Sequence, residues 1–142
     1  MWMANYDLRL RSWVDLRNKS QYDSLDIALS RINDWWLDTN WCPFLLHWDE
    51  AQNWPDPWEL LQYNKHCELA RGLGILYTIA IIDRKEFNDA VLVGVEESNL
   101  VLVNKGKYVL NLDDSTRVNI HSTKIKKFKH QFTIEEAHKK IN

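Results

Sequence analysis

Residues 64–95, NKHCELARGLGILYTIAIIDRKEFNDAVLVGV, change their apolar period part-way along, and that change decides the fold. The first part, residues 64–82, predicts a helix, and beyond Leu73 it is apolar nearly all round, as a central buried helix should be. Gly72 and Gly74 lie inside it at a cost of roughly 1 kcal/mol each relative to Ala, which close approach of another backbone would explain. After the charged turn DRKEFND the period becomes two. Residues 90–95, 100–103 and 108–112 then predict three strands, with turns at Glu97-Ser98-Asn99 and Lys105-Gly106. Residues 117–120 are a candidate fourth strand of this antiparallel meander.

Working outward, residues 25–37 place Leu25, Ala28, Leu29, Ile32, Trp35 and Trp36 on one helical face behind Ser24. Asp56-Pro57 is a helix start, with the helix running to Gln62. Thr133-Ile-Glu-Glu136 is a capping-box signature for a short terminal helix. Residues 6–17 carry an imperfect apolar stripe, and residues 1–20 are expected as an extended arm. The fold class is α+β: N-terminal helices around a central buried helix, packed on a C-terminal antiparallel β-meander of 3–4 strands, closed by a short helix. One domain over residues 1–142 suits a chain of 142 residues.

The formal net charge of −2 selects no partner class, but it is unevenly spread. Acidic residues dominate residues 1–62, and basic ones residues 117–142. An acidic front and a basic tail (residues 121–142) suit electrostatic complementarity between neighbouring subunits. The N-terminal MWMANYDLRLRSW has no apolar signal region, and no run is long enough to span a bilayer. With two cysteines only, the expectation is a reducing compartment, free thiols and no membrane association.

All eight tryptophans fall between Trp2 and Trp58. Trp combines a large apolar area with a polar N–H and is enriched at binding hot spots. Trp41, Trp48, Trp54 and Trp58 sit in irregular chain between helices and are the candidate docking residues. Asp49, Glu50 and Asp56 are the candidate polar rim around them. In the tail, Lys124, Lys126, Lys127 and Lys129 form a basic strip interleaved with Ile125, Phe128 and Phe132. Such a strip could contact phosphates, although an edge strand blunted by Lys accounts for it more simply. His47, Asp49 and Glu50 beside Cys42 lack metal-ligand spacing, so neither a metal nor another cofactor is expected.

Cys67 at the head of the central helix is the one candidate nucleophile, because a helix N-terminus stabilises a thiolate. KHCELARGLGIL, DAVLVGV and GKYVLNLDD in that order resemble the layout of the transglutaminase-like, papain-type cysteine enzymes over residues 54–114. The resemblance implies Cys67 as nucleophile, a His on the first strand and Asp113 as its orienting partner. Here Asp89 stands where that His is expected, and no His occurs between Cys67 and Ile120. A thiol nucleophile needs a base within reach. His47, His66 and His121 are the alternatives, and the implied domain is a degenerate, non-catalytic one.

YDLRLRSWVDLR, INDWW, LLHWDE, NWPDPWELL and CELARGLGILYTI together resemble small proteins of T4-like tailed phages, those infecting marine cyanobacteria in particular. That resemblance implies a structural or assembly protein of a phage particle, found in the virion or in the cytoplasm of the infected host. Its partners would be other phage structural proteins. A cysteine-dependent transferase or amidohydrolase using Cys67 is the alternative.

Overall fold

The computed structural model describes residues 2, 5–95, 98–112 and 128–142. Its helices are α1 (Tyr6–Tyr22), α2 (Leu25–Leu37), α3 (Pro57–Gln62), α4 (Glu68–Ile81) and α5 (Ile134–Ile141). Two 3-10 turns, Trp48–Asn53 and Lys85–Phe87, interrupt the connections. The strands are β1 (Val91–Gly94), β2 (Asn99–Val103), β3 (Tyr108–Leu110) and β4 (His130–Thr133), ordered β3-β2-β1-β4 and antiparallel throughout. The α+β class and the helix-first, sheet-second order are as the sequence predicts.

The central helix is α4, but it begins later than residue 64. His66 N–H donates to Asn40 O at 2.8 Å and Cys42 N–H to His66 O at 3.1 Å, a one-step parallel bridge between Trp41 and His66. Those groups are therefore committed to extended chain. Cys67 becomes the N-cap, its Sγ accepting from Ala70 N–H at 3.4 Å. The two glycines of α4 are close-approach sites, against side chains rather than another backbone. A Cβ at Gly72 would lie 2.7 Å from Leu92 Cδ1, and one at Gly74 2.5 Å from the Trp36 ring.

Strand alternation sends one set of side chains to α4 and the other to the far face. Leu92, Val101, Val103, Tyr108, Leu110 and Phe132 join the main core. Val93, Leu100, Leu102 and Val109 form a second cluster. The sheet is not a plain meander, because β4 returns to pair with β1, aligning Leu92 with Phe132. The candidate strand at residues 117–120 lies outside the described residues.

Residues 1–20 are not an extended arm, since most of them form α1. Asn5 caps it by accepting from Asp7 N–H at 2.7 Å, and Trp13 and Leu16 are buried as it packs on α2 and α3. Arg9 on the same face is buried too. Its guanidinium donates to the Leu61, Gln62 and Tyr63 carbonyls and to Asn64 Oδ1. A cation on the carbonyls ending α3 is favourable electrostatics, and it ties α1 to α3. The predicted capping box at Thr133 with Glu136 is formed, and the predicted helix start at Asp56 proves to be a second capping box, with Glu59.

Two of the buried rings share one acceptor. Trp13 and Trp36 both donate their indole N–H to Thr78 Oγ1 at 2.9 Å, and Thr78 donates onward to Gly74 O at 2.8 Å. One hydroxyl so satisfies two large aromatics. Trp54 donates to His47 O and is only 5% exposed.

Candidate functional site

At the head of α4 the structure opens a cleft of about 600 Å³. It is lined by Trp41, Pro43, Phe44, Leu46, His47, Trp48, Asp49, Cys67, Glu68, Leu69, Asn99 and His130. Three segments supply these groups: the irregular chain after α2, the first turn of α4, and the ends of β2 and β4. Pro43 and the commitment of Cys42 N–H to His66 O keep the first segment out of helix, so its aromatic side chains project over the cleft.

The wall is built on hydrogen bonds. Trp48 Nε1 donates to Asn99 Oδ1 at 2.8 Å, and Asn99 donates through N–H and Nδ2 to Glu68 Oε1 at 2.7 and 3.0 Å. Beneath them Asn111, in a left-handed conformation with φ 69°, donates Nδ2 to the carbonyls of Glu68 and Asn99. Its own N–H is held by Asn33 Oδ1 at 2.8 Å. Asn tolerates that backbone better than most residues, and its side chain links β3, β2 and α4 while its backbone engages α2. Trp48 lies against the end of β1: a Cβ at Gly94 would sit 2.7 Å from its Nε1. On its other side it stacks on His130, 5.2 Å between centroids and 12° between planes.

The outer lip has a different character. Trp41 is 60% exposed, Phe44 61% and Leu45 39%, with Phe44 edge-on to His47 at 4.0 Å. Of the four tryptophans expected to dock a partner, only Trp41 is exposed. Trp48 is half-buried as part of the wall, and Trp58 is half-buried with Trp13 edge-on to it at 6.3 Å. Trp54 belongs to the core because its N–H finds the His47 carbonyl, a local partner that sequence spacing does not reveal. Asp49 lines the cleft and Glu50 is exposed beside it. Asp56 is not rim: its carboxylate accepts from Glu59 N–H at 2.8 Å as the cap of α3.

The thiol and its possible bases are also placed. Cys67 is buried at the cleft base. His66 does not line the cleft. Its ring is enclosed by Trp2, Trp36 and Tyr63, its Nε2 bonds Leu60 O at 2.9 Å, and its Nδ1 has no partner. Burial, with Arg71 and Arg9 nearby, pushes its pKa down to about 4 despite the Leu60 hydrogen bond. Asp89 accepts from the N–H groups of Asn104 and Lys105 at the β2–β3 turn. That is the end of the sheet opposite the Gly94–Asn99 pair beside the cleft, so this position is remote from Cys67. The histidines brought to the cleft are His47 and His130.

His130 and Asn99 went unrecognised in the sequence because one reads as part of a lysine-rich tail and the other as a turn residue. Asp113, His121, Lys124, Lys126 and Lys127 lie outside the described residues. Lys129 is exposed, and its backbone N–H donates to Gly94 O at 2.8 Å. Among the described residues, no group of three or more His, Cys, Asp or Glu is arranged to hold a metal, and no helix is long and apolar enough to cross a membrane. No family model, curated protein or solved structure matches this chain.

Proposed function

We propose that this chain is a non-catalytic structural or assembly subunit that docks a segment of another protein in the cleft at the head of α4. The observation that carries the reading is the lip: Trp41 and Phe44 stand exposed over an open cleft, and Leu45, next in the chain, is exposed as well. Large apolar side chains grouped at a concave surface are what a docked segment covers, and a Trp at its centre suits a hot spot. Asp49 and Glu68 line the cleft, Glu50 stands beside it, and none of the described lining residues is Lys or Arg. The occupant is therefore an apolar segment that carries positive charge. On the sequence resemblance alone, it belongs to another subunit of a tailed-phage particle, in the virion or during assembly in the infected host.

The test uses a peptide of that chemistry, KIKKFKHQF, which is the sequence of residues 124–132, beside an acidic counterpart with Glu for each Lys. Tryptophan fluorescence of the folded protein should show saturable binding of the basic peptide, weakening as salt rises. The double variant Trp41→Ala, Phe44→Ala should lose it while keeping its unfolding midpoint. Equal binding of both peptides, or unchanged binding by the double variant, would remove the reading.

A second reading has one specific observation in its favour. Cys67 shares its cleft with His47, His130 and Asn99, which supplies the imidazole that the order of residues along the chain withheld. In this reading Cys67 is the nucleophile of a transferase or amidohydrolase. Alkylation of the folded protein at pH 6 and pH 8 decides it. Rapid labelling of Cys67 at pH 6 that slows in His130→Ala supports an activated thiolate. A thiol that stays unlabelled until the protein unfolds excludes it.

A further inference from the structure

One step beyond the isolated Trp41–His66 bridge, along both chains, come Cys42 and Cys67. The bridge is parallel, fixed by His66 N–H to Asn40 O at 2.8 Å and Cys42 N–H to His66 O at 3.1 Å. Partners at the same step of a parallel ladder lie about 4.8 Å apart and point to the same face. Both chains stay extended through the next step: Cys67 has φ −81° and ψ 174°, and Pro43 favours extended backbone at Cys42. A disulfide needs Cα atoms roughly 4.4–6.8 Å apart with side chains on one side. The bridge brings the two backbones together one residue before these cysteines.

Neither thiol is tied up by a strong partner. Cys42 Sγ meets Phe44 O at 3.9 Å, and Cys67 Sγ accepts from Ala70 N–H at 3.4 Å. Both are free thiols in this structure, Cys42 half-buried and Cys67 buried. They are also the only two cysteines of the chain, so neither competes with a third. Trp41 and Pro43, the residues flanking Cys42, line the same cleft as Cys67.

We propose that Cys42 and Cys67 form a reversible disulfide that pins the Trp41 lip to the head of α4, making the cleft redox-sensitive. The oxidant is a small-molecule disulfide such as oxidised glutathione. The more accessible Cys42 thiolate attacks it, giving a mixed disulfide and releasing one glutathione thiolate. The Cys67 thiolate then displaces the second glutathione, leaving the Sγ–Sγ bond. Two cysteines are oxidised, one glutathione disulfide is reduced to two thiols, and those two thiols take up the cysteine protons. The pair stands whatever the cleft binds.

The experiment places the folded full chain in graded ratios of oxidised to reduced glutathione, followed by acid quench, alkylation of remaining thiols and mass spectrometry. Both thiols should disappear together, with the mass falling by two hydrogens and Cys42 linked to Cys67 in the digest. Dithiothreitol should reverse it, and the oxidised form should unfold at higher denaturant, because the bond closes the loop holding α3. Cys67→Ser should stop as a glutathione adduct on Cys42. Unresolved adducts on the parent chain, disulfide-linked dimers, or thiols that resist oxidation until the protein is denatured would each overturn the proposal.

Discussion

Two groups of tryptophans, both upstream of α4, meet opposite fates. Trp13 and Trp36 are fully buried, and their N–H groups converge on the Thr78 hydroxyl. Trp41 stands exposed at the cleft, with Trp48 half-buried behind it on Asn99. What separates them is the backbone that carries them. A regular helix turns Trp13 or Trp36 toward α4, where one oxygen accepts both indoles. The chain around Trp41 is held extended by the His66 bridge and Pro43, and has no helical face to bury. The inner group is a stability device, and the outer one is surface available for contact.

Removing the shared acceptor should have the largest effect. Thr78→Val keeps the shape but leaves two indole N–H groups buried and unpaired, at about 1–3 kcal/mol each. Equilibrium urea unfolding should therefore show a loss of about 4 kcal/mol. A loss below about 1 kcal/mol would mean the rings do not depend on Thr78.

The pH response of His66 comes next. Its folded pKa of about 4 lies below the ordinary value of 6.5, so between those values the unfolded chain binds a proton that the folded one refuses. Its contribution is fully present above pH 6.5 and is lost as pH falls toward 4, by roughly 3 kcal/mol in all. Stability measured across that window should fall in the parent and stay flatter in His66→Gln. Parallel curves would assign the acid response to other groups.

Gly74→Ala should cost about 2 kcal/mol, because its Cβ would press on the Trp36 ring and the packed core must shift. The smallest effect is expected at the lip. Trp41→Ala with Phe44→Ala should leave the unfolding free energy within about 0.5 kcal/mol of the parent. A large destabilisation there would erase the distinction between the two groups.

Periodic elements were legible in the sequence: the helix Leu25–Leu37, the short helix Pro57–Gln62 with its Asp56 cap, the change to strands after α4 and the capping box at Thr133. Local spacing and cap chemistry determine these, and both are written in adjacent residues. The start of α4 was not legible, because the bridge that delays it joins His66 to Asn40 and Cys42, far back in the chain. Burial of individual tryptophans escaped for the same reason. An indole's fate depends on a partner such as Thr78 or His47 O, and a list of aromatic positions names none. The candidate site was half visible: Cys67 at a helix head, Trp41, Trp48 and Asp49 were found. His130 and Asn99 join them only through the strand pairing that brings β4 beside β1.

That pairing also bears on the order of folding. Val91 to Gly94 meet β2 across a short turn but meet β4 only when a stretch far along the chain returns. Until then the middle of the sheet is an edge, with the backbone groups of Leu92 and Gly94 left unpaired on an apolar strand, the kind that recruits other chains. Long-range closure is slow compared with forming the neighbouring hairpin. The interval before His130–Thr133 docks is therefore when this chain is most prone to aggregate, and arrival of that last strand both completes the sheet and carries His130 to the cleft.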